Sequence, residues 1–190
     1  GVEVKMNQNI GTEEMKEIHK FYDATYVAIG AHTDKKLGLE GEDSKNVISA
    51  VDMLREIGDG KYPDYTGKRV VVVGGGNVAM DCARTAIRAN AETVSIVYRR
   101  RQEDMTALPA EVEGAVAEGI ELVTLKAPLR VEADAEGNAC ALWVQPQIIG
   151  PVRGGRPSPR KANKPEERME CDIVLVAIGQ DIVSQPFADF

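Results

Sequence analysis

The stretch Arg69–Arg101, RVVVVGGGNVAMDCARTAIRANAETVSIVYRRR, constrains this chain more than any other. Arg69 to Val73 is a continuous β-branched run, as expected of a strand covered on both faces. A glycine triplet follows. The next segment has helical period: Val78, Ala79, Cys82, Ala83, Ala86 and Ile87 share one apolar face, and Asp81, Arg84 and Arg88 share the wet one. Asn90 suits a left-handed closure of that helix, and Thr93 to Tyr98 reads as a second strand. A strand, helix and strand of this length form a βαβ unit, which requires a parallel sheet. The expected fold is therefore α/β: a Rossmann-like three-layer parallel sheet flanked by helices, with a small antiparallel β-hairpin or meander attached.

The turn inside this unit carries the chemistry. Gly74, Gly76 and Ala79 spell G-x-G-x-x-A between strand and helix, the context in which that pattern binds dinucleotides. Gly74 permits the tight turn, with Gly75 beside it, and Gly76 lets a pyrophosphate approach the backbone. Asn77 and Val78 open the helix, whose free N–H groups and positive dipole end attract phosphate. Ala79 allows close helix-to-strand contact. Where an NAD site places an acid at the end of the second strand, this chain has Tyr98-Arg99-Arg100-Arg101; Glu103 and Asp104 come later. Guanidinium groups match a phosphate dianion with paired hydrogen bonds, so Arg99 and Arg100 favour the 2′-phosphate of NADP(H).

Around this unit the pattern is less regular. Val2, Val4 and Met6 alternate as in a half-buried strand, and TEEMKEIHKF has helical spacing with Thr12 placed as an N-cap. Residues 37–46 read as loop, Ser49 and Asp52 as a capping box for a short helix. PAEVEGAVAEG is a further helix, starting near Pro109 and ending near Gly119, before a strand. LRVEADAEGNACALWVQP reads as an antiparallel hairpin turning at Glu136-Gly137-Asn138. Gly150 to Met169 is Pro/Gly-rich, basic and without periodicity, and is expected to be a long solvated loop. One octapeptide occurs almost twice: DATYVAIG from Asp23 and DIVLVAIG from Asp172, identical at five of eight positions. Both read as buried strands ending in glycine.

Composition excludes some functions. A net charge of −7 argues against general nucleic-acid binding, and no apolar run approaches the roughly 18 residues of a membrane span. Cys82, Cys140 and Cys171 are far apart and form no CxxC pair, so neither a disulfide framework nor a redox dithiol is expected, and a cytoplasmic location is the default. His19 and His32 have no metal-ligand spacing around them, so no metal site is assigned. Asp81 and Arg84 are placed as a surface pair. No nucleophile or acid–base constellation is visible, so no catalytic residue is assigned.

On these residues the chain resembles the NADPH-binding part of the glutamate synthase small (β) subunit-like family, two-dinucleotide-domain flavoproteins. YDATYVAIGA, LGLEGED, VVVVGGGNVAMDCARTAIRANAETVSIVYRR, EDMTALPAE and CDIVLVAIGQ carry the resemblance in family order. EDMTALPAE has extra residues between Met105 and Pro109 where the family often has Met-Pro adjacent. The resemblance implies an NADP(H) domain inserted in an FAD domain, with hydride passing from NADPH to FAD and on to an iron–sulfur or large-subunit electron acceptor. It implies that Gly74, Gly76, Asn77 and Val78, with Gly75 and Ala79 beside them, contact the pyrophosphate, that Arg99 and Arg100 contact the 2′-phosphate, that Ala177, Ile178 and Gly179 line the dinucleotide and that Gly30 and Ala31 lie near the FAD–NADPH boundary. The expected organisation is residues 1–33 as a remnant of the FAD-binding domain, 34–67 a connector with a short helix, 68–181 the NADP(H) domain, and 182–190 the start of the return to the FAD domain. With the FAD domain mostly missing, the chain is expected to bind NADPH without turnover. A self-contained NADP-dependent dehydrogenase and a non-catalytic NADP(H)-sensing or scaffold module are the alternatives.

Overall fold

A computed structural model describes residues 1–188; of the expected return segment 182–190, Asp189 and Phe190 lie outside the described residues. The chain divides into two units, residues 34–179 and residues 1–33 together with Gln180 onward.

In the larger unit five strands form one all-parallel sheet: β2 (Val47–Ser49), β3 (Arg69–Val73), β4 (Thr93–Tyr98), β5 (Glu121–Thr124) and β10 (Ile173–Val176), in the spatial order β2-β10-β3-β4-β5. The period-2 alternation of a strand explains why the central ones are apolar throughout. Val70 and Val72 of β3, with Ile173 and Leu175 of β10, point into a core shared with the helices α2 (Ala50–Gly58), α3 (Asn77–Arg88) and α4 (Pro109–Ala117). Val71, Val73, Val174 and Val176 point the other way, onto Val131, Leu142 and Val144. Those residues belong to an antiparallel sheet of β6 (Lys126–Ala133), β7 (Ala139–Arg153), β8 (Arg156–Lys161) and β9 (Glu167–Glu170). The expected three-layer α/β arrangement holds, with one refinement: the second face of the parallel sheet is covered by a β-sheet, not by helices.

Local chemistry accounts for most boundaries. The Ser49 hydroxyl caps α2 by accepting from the Asp52 N–H at 3.0 Å. Asn90 closes α3 at φ +65°. Asp172 pins the start of β10 to β3, accepting from the Arg69 N–H at 2.8 Å and its Nε at 3.0 Å, and Arg69 holds its carboxyl below the ordinary carboxylate range.

Three expectations within this unit are corrected. Part of the stretch read as connector supplies β2, an edge of the parallel sheet, because Val47 and Ile48 find apolar neighbours on opposite faces. The expected loop from Gly150 to Met169 is mostly sheet. Gly154 and Gly155, both at positive φ, give the reversal between β7 and β8, and Pro157 and Pro159 are tolerated because β8 pairs on one side only. Arg84 pairs not with Asp81 but with Glu111 at 3.0 Å and Glu118 at 2.8 Å, tying α3 to α4.

In the smaller unit α1 (Thr12–Phe21) buries Met15, and its N-cap is Gly11, not Thr12; the Gly11 N–H donates to the Glu14 carboxylate at 3.0 Å. The expected strands at Val2–Met6 and Asp23–Gly30 are absent among the described residues, and Tyr26 is 92% exposed. The apolar pattern is present, but no neighbouring strand pairs with either segment, and an unpaired strand is not stable in water. Two-residue strands β1 (Thr33–Asp34) and β11 (Gln180–Asp181) lie where the chain passes between units, and a 3₁₀ turn, η2 (Gln185–Phe187), follows.

Candidate dinucleotide site

The parallel sheet presents its carboxyl-terminal strand ends on one edge, and its order reverses between β3 and β10. Ligands of open α/β sheets bind at such a crevice. Gly74 ends β3 there. Its N–H donates to the Val97 carbonyl at 3.1 Å, while the Ala177 N–H donates to Val73 at 2.8 Å, so three strand ends are joined around the turn. A Cβ on Gly74 would stand 2.3 Å from the Ala177 carbonyl oxygen, and one on Gly75 would stand 2.6 Å from the Tyr98 ring. Gly76 is different: the nearest atom to a Cβ there is the Thr106 hydroxyl at 3.4 Å, so its glycine leaves room that protein atoms do not fill.

Gly76 is the N-cap of α3, accepting from the Ala79 and Met80 N–H groups at 2.9 and 3.3 Å. Asn77 and Val78 are the first two helical residues. They have no carbonyl one turn back within the helix, so their N–H groups leave its N-terminal end as donors. Ala79 is fully buried against the sheet, where a larger side chain would push helix and strand apart. Cys82, one turn on, is core: burial pushes its thiol up to about 12, so it carries no thiolate at neutral pH.

A loop missed by sequence reasoning braces the turn. The Thr106 and Ala107 N–H groups donate to the Gly75 carbonyl at 2.9 and 3.1 Å, and the Leu108 N–H donates to Asn77 Oδ1 at 2.8 Å. The extra residues between Met105 and Pro109 are the signal that could have found it.

The three arginines after β4 are not equivalent. Arg99 is exposed and makes no hydrogen bond or ion pair among the described residues. Arg100 is half-buried and donates from Nε to the Pro157 carbonyl at 2.8 Å. Arg101 is claimed by acids: Asp104 at 2.9 Å and Glu103 at 2.7 Å, and this pairing holds the Asp104 carboxyl below its usual range. Of the other expected residues, Ala177 lies against Gly74, Ile178 is 39% exposed beyond the end of β10, and the Gly179 carbonyl accepts from the Lys35 N–H at 3.1 Å. Gly30, at φ +69°, and Ala31 belong to the smaller unit. The site thus combines a backbone-donor cradle at one strand end with an open guanidinium, Arg99, and a partly engaged one, Arg100, at the next, a pattern that suits a diphosphate with a further phosphate nearby.

Comparison with known proteins agrees with this geometry. The family pattern of pyridine nucleotide-disulphide oxidoreductases matches residues 2–189. The NADPH-Fe(3+) oxidoreductase subunit beta of Geobacter sulfurreducens is 39% identical over 186 residues, covering 95% of this chain and 28% of that protein. The glutamate synthase [NADPH] small chain of Escherichia coli is 32% identical over 191 residues, covering 94% of this chain and 40% of that one. The chain therefore spans less than half the length of these curated relatives. Mycobacterium tuberculosis FprA in complex with NADPH superposes with a TM-score of 0.71 at 20% identity, covering 87% of this chain and 51% of that structure, which is a likeness of fold.

Proposed function

The chain belongs to the pyridine nucleotide-disulphide oxidoreductase family, and we propose that residues 34–179 are its NADP(H)-binding domain. The observation that carries the reading is the juxtaposition at adjacent strand ends of the Gly74–Val78 cradle with Arg99 and Arg100, neither of which makes an ion pair among the described residues, while the acids of that turn, Glu103 and Asp104, pair with Arg101. The names of the Geobacter and Escherichia relatives both specify NADPH, which supports the same choice.

In this reading Gly76, Asn77 and Val78 hold the pyrophosphate through backbone N–H groups, and Arg99 and Arg100 hold the 2′-phosphate. Ala177, Ile178 and Gly179 line the dinucleotide, and Gly30 and Ala31 lie near the FAD–NADPH boundary. When bound, NADPH supplies a hydride for the FAD of the same protein. The chain's own work is to bind, orient and shield, which hydride transfer requires in place of an acid or base. Residues 1–33 and the segment after Gly179 belong to the FAD-binding domain. One relative is named a subunit of an oxidoreductase and the other the small chain of a glutamate synthase, which supports delivery of the electrons to an iron–sulfur or large-subunit acceptor.

Titration of the chain with NADPH and NADH tests the reading. NADPH is expected to bind more tightly, and Arg99→Ala to weaken it by about tenfold or more while sparing NADH, as loss of a charge-assisted hydrogen-bonded pair predicts. Equal affinity of the unaltered chain for both cofactors would sink it.

A further inference from the structure

Arg99 and Arg100 stand on a turn between β4 and the 3₁₀ helix η1 (Gln102–Asp104), which β8 grips at three points. The Arg156 guanidinium donates to the Tyr98 hydroxyl at 2.8 Å and also to the Asp104 carbonyl, and the Pro157 carbonyl accepts from Arg100 Nε at 2.8 Å. The Tyr98 hydroxyl itself donates to the Asp104 carbonyl at 2.8 Å, and the ring of Tyr98 lies against Gly75 of the glycine turn. Both ends of the turn and its middle are thereby held, while Arg99 is left exposed with no side-chain partner among the described residues.

We propose that Arg156 is a positioning residue for cofactor selectivity: by clasping residues 98–104 it sets the orientation in which Arg99 and Arg100 meet a phosphate on the ribose 2′-position. The inference rests on the reading of this edge as an NADP(H) site. Guanidinium–phosphate pairing is directional, so its strength depends on the arginines being ordered before the ligand arrives. Both bonds leave one guanidinium nitrogen, Nη2, which the rigid planar group holds in place, whereas lysine carries its charge on a flexible stem and restores the charge without the same geometry. A hairpin that merely stabilised the fold would affect every nucleotide alike.

The experiment is calorimetric titration of the chain, unaltered and as Arg156→Ala, Arg156→Lys and Tyr98→Phe, with NADPH, NADH and adenosine 2′,5′-bisphosphate. In Arg156→Ala, affinity for the two 2′-phosphorylated ligands is expected to fall about tenfold while NADH changes by less than about twofold, with Arg156→Lys in between. Tyr98→Phe keeps the ring against Gly75 and removes the hydroxyl, so it should move the NADPH-to-NADH ratio the same way, and it decides the matter if Arg156→Ala fails to fold. An unchanged ratio, or equal losses for NADPH and NADH, overturns the inference while leaving the NADP(H) reading standing. No NADPH preference in the unaltered chain overturns both.

Discussion

Gly74 and Gly75 are glycines because of neighbours more than a hundred and more than twenty residues away, the Ala177 carbonyl and the Tyr98 ring, whereas Gly76 faces space that a ligand would use. Gly74→Ala must therefore separate β3 from β10, two strands whose side chains build both cores. Its expected cost is about 2 kcal/mol or more, the scale of overpacking a close-packed site, read as a lowered urea midpoint; an unchanged midpoint would refute the contact. Gly76→Ala meets nothing nearer than 3.4 Å and is expected to leave stability nearly unchanged while weakening NADPH. The arginines teach the same lesson. Arg99, Arg100 and Arg101 are identical in chemistry and adjacent in sequence, yet one is open, one is tied to a carbonyl and one is neutralised by acids. Their charge was legible in the sequence. Their availability was not, because it depends on Asp104 folding back and on β8 arriving from more than fifty residues away.

Among the elements, the antiparallel sheet contains the expected hairpin, β6 and β7, extends it with the unexpected β8 and β9, and carries ion pairs of its own. Glu132 on β6 accepts from the Trp143 indole at 2.7 Å and from Arg168 at 2.9 and 3.0 Å, and these bonds hold its carboxyl at about 2, below its ordinary 4.5. The folded chain thus binds fewer protons at this group than the unfolded chain. The stabilisation is fully present above about pH 4.5 and is lost as the pH falls toward 2. Glu132→Gln is expected to lower the urea midpoint near pH 7, to change it little near pH 2, and so to flatten its fall across that window; a slope equal to that of the unaltered protein would show that Glu132 does not contribute. The length of β7 and the existence of β8 escaped the sequence pattern because a basic, proline-bearing edge strand has no alternation to read. Its prolines signal loop until the free edge they occupy is known.

For the whole molecule, the two octapeptides decide the interpretation. IVLV at 173–176 is buried between β2 and β3, while the matching apolar stretch around Tyr26 lies exposed with no strand partner among the described residues. Nearly the same residues have opposite fates because a strand is completed by its neighbours, and only the copy in the larger unit has them. An exposed apolar segment in the smaller unit fits the proposal that this unit belongs to an FAD-binding domain. The chain supplied with NADPH alone is accordingly expected to bind it without oxidising it. Flavin absorbance that persists through purification, together with consumption of NADPH, would contradict that organisation.

By itself the sequence determined the parallel α/β core, the glycine turn with its helix, and the cluster of positive charge at the next strand end, since each is written in a local period or a short motif. The tertiary structure alone decided which glycines are sterically obligatory, which arginines remain open, that a β-sheet covers the second face, and that β8 grips the arginine turn. These properties depend on contacts between residues distant in the chain, such as Gly74 with Ala177 and Tyr98 with Arg156. No local pattern encodes such pairs, because what selects them is the packing of whole elements against one another.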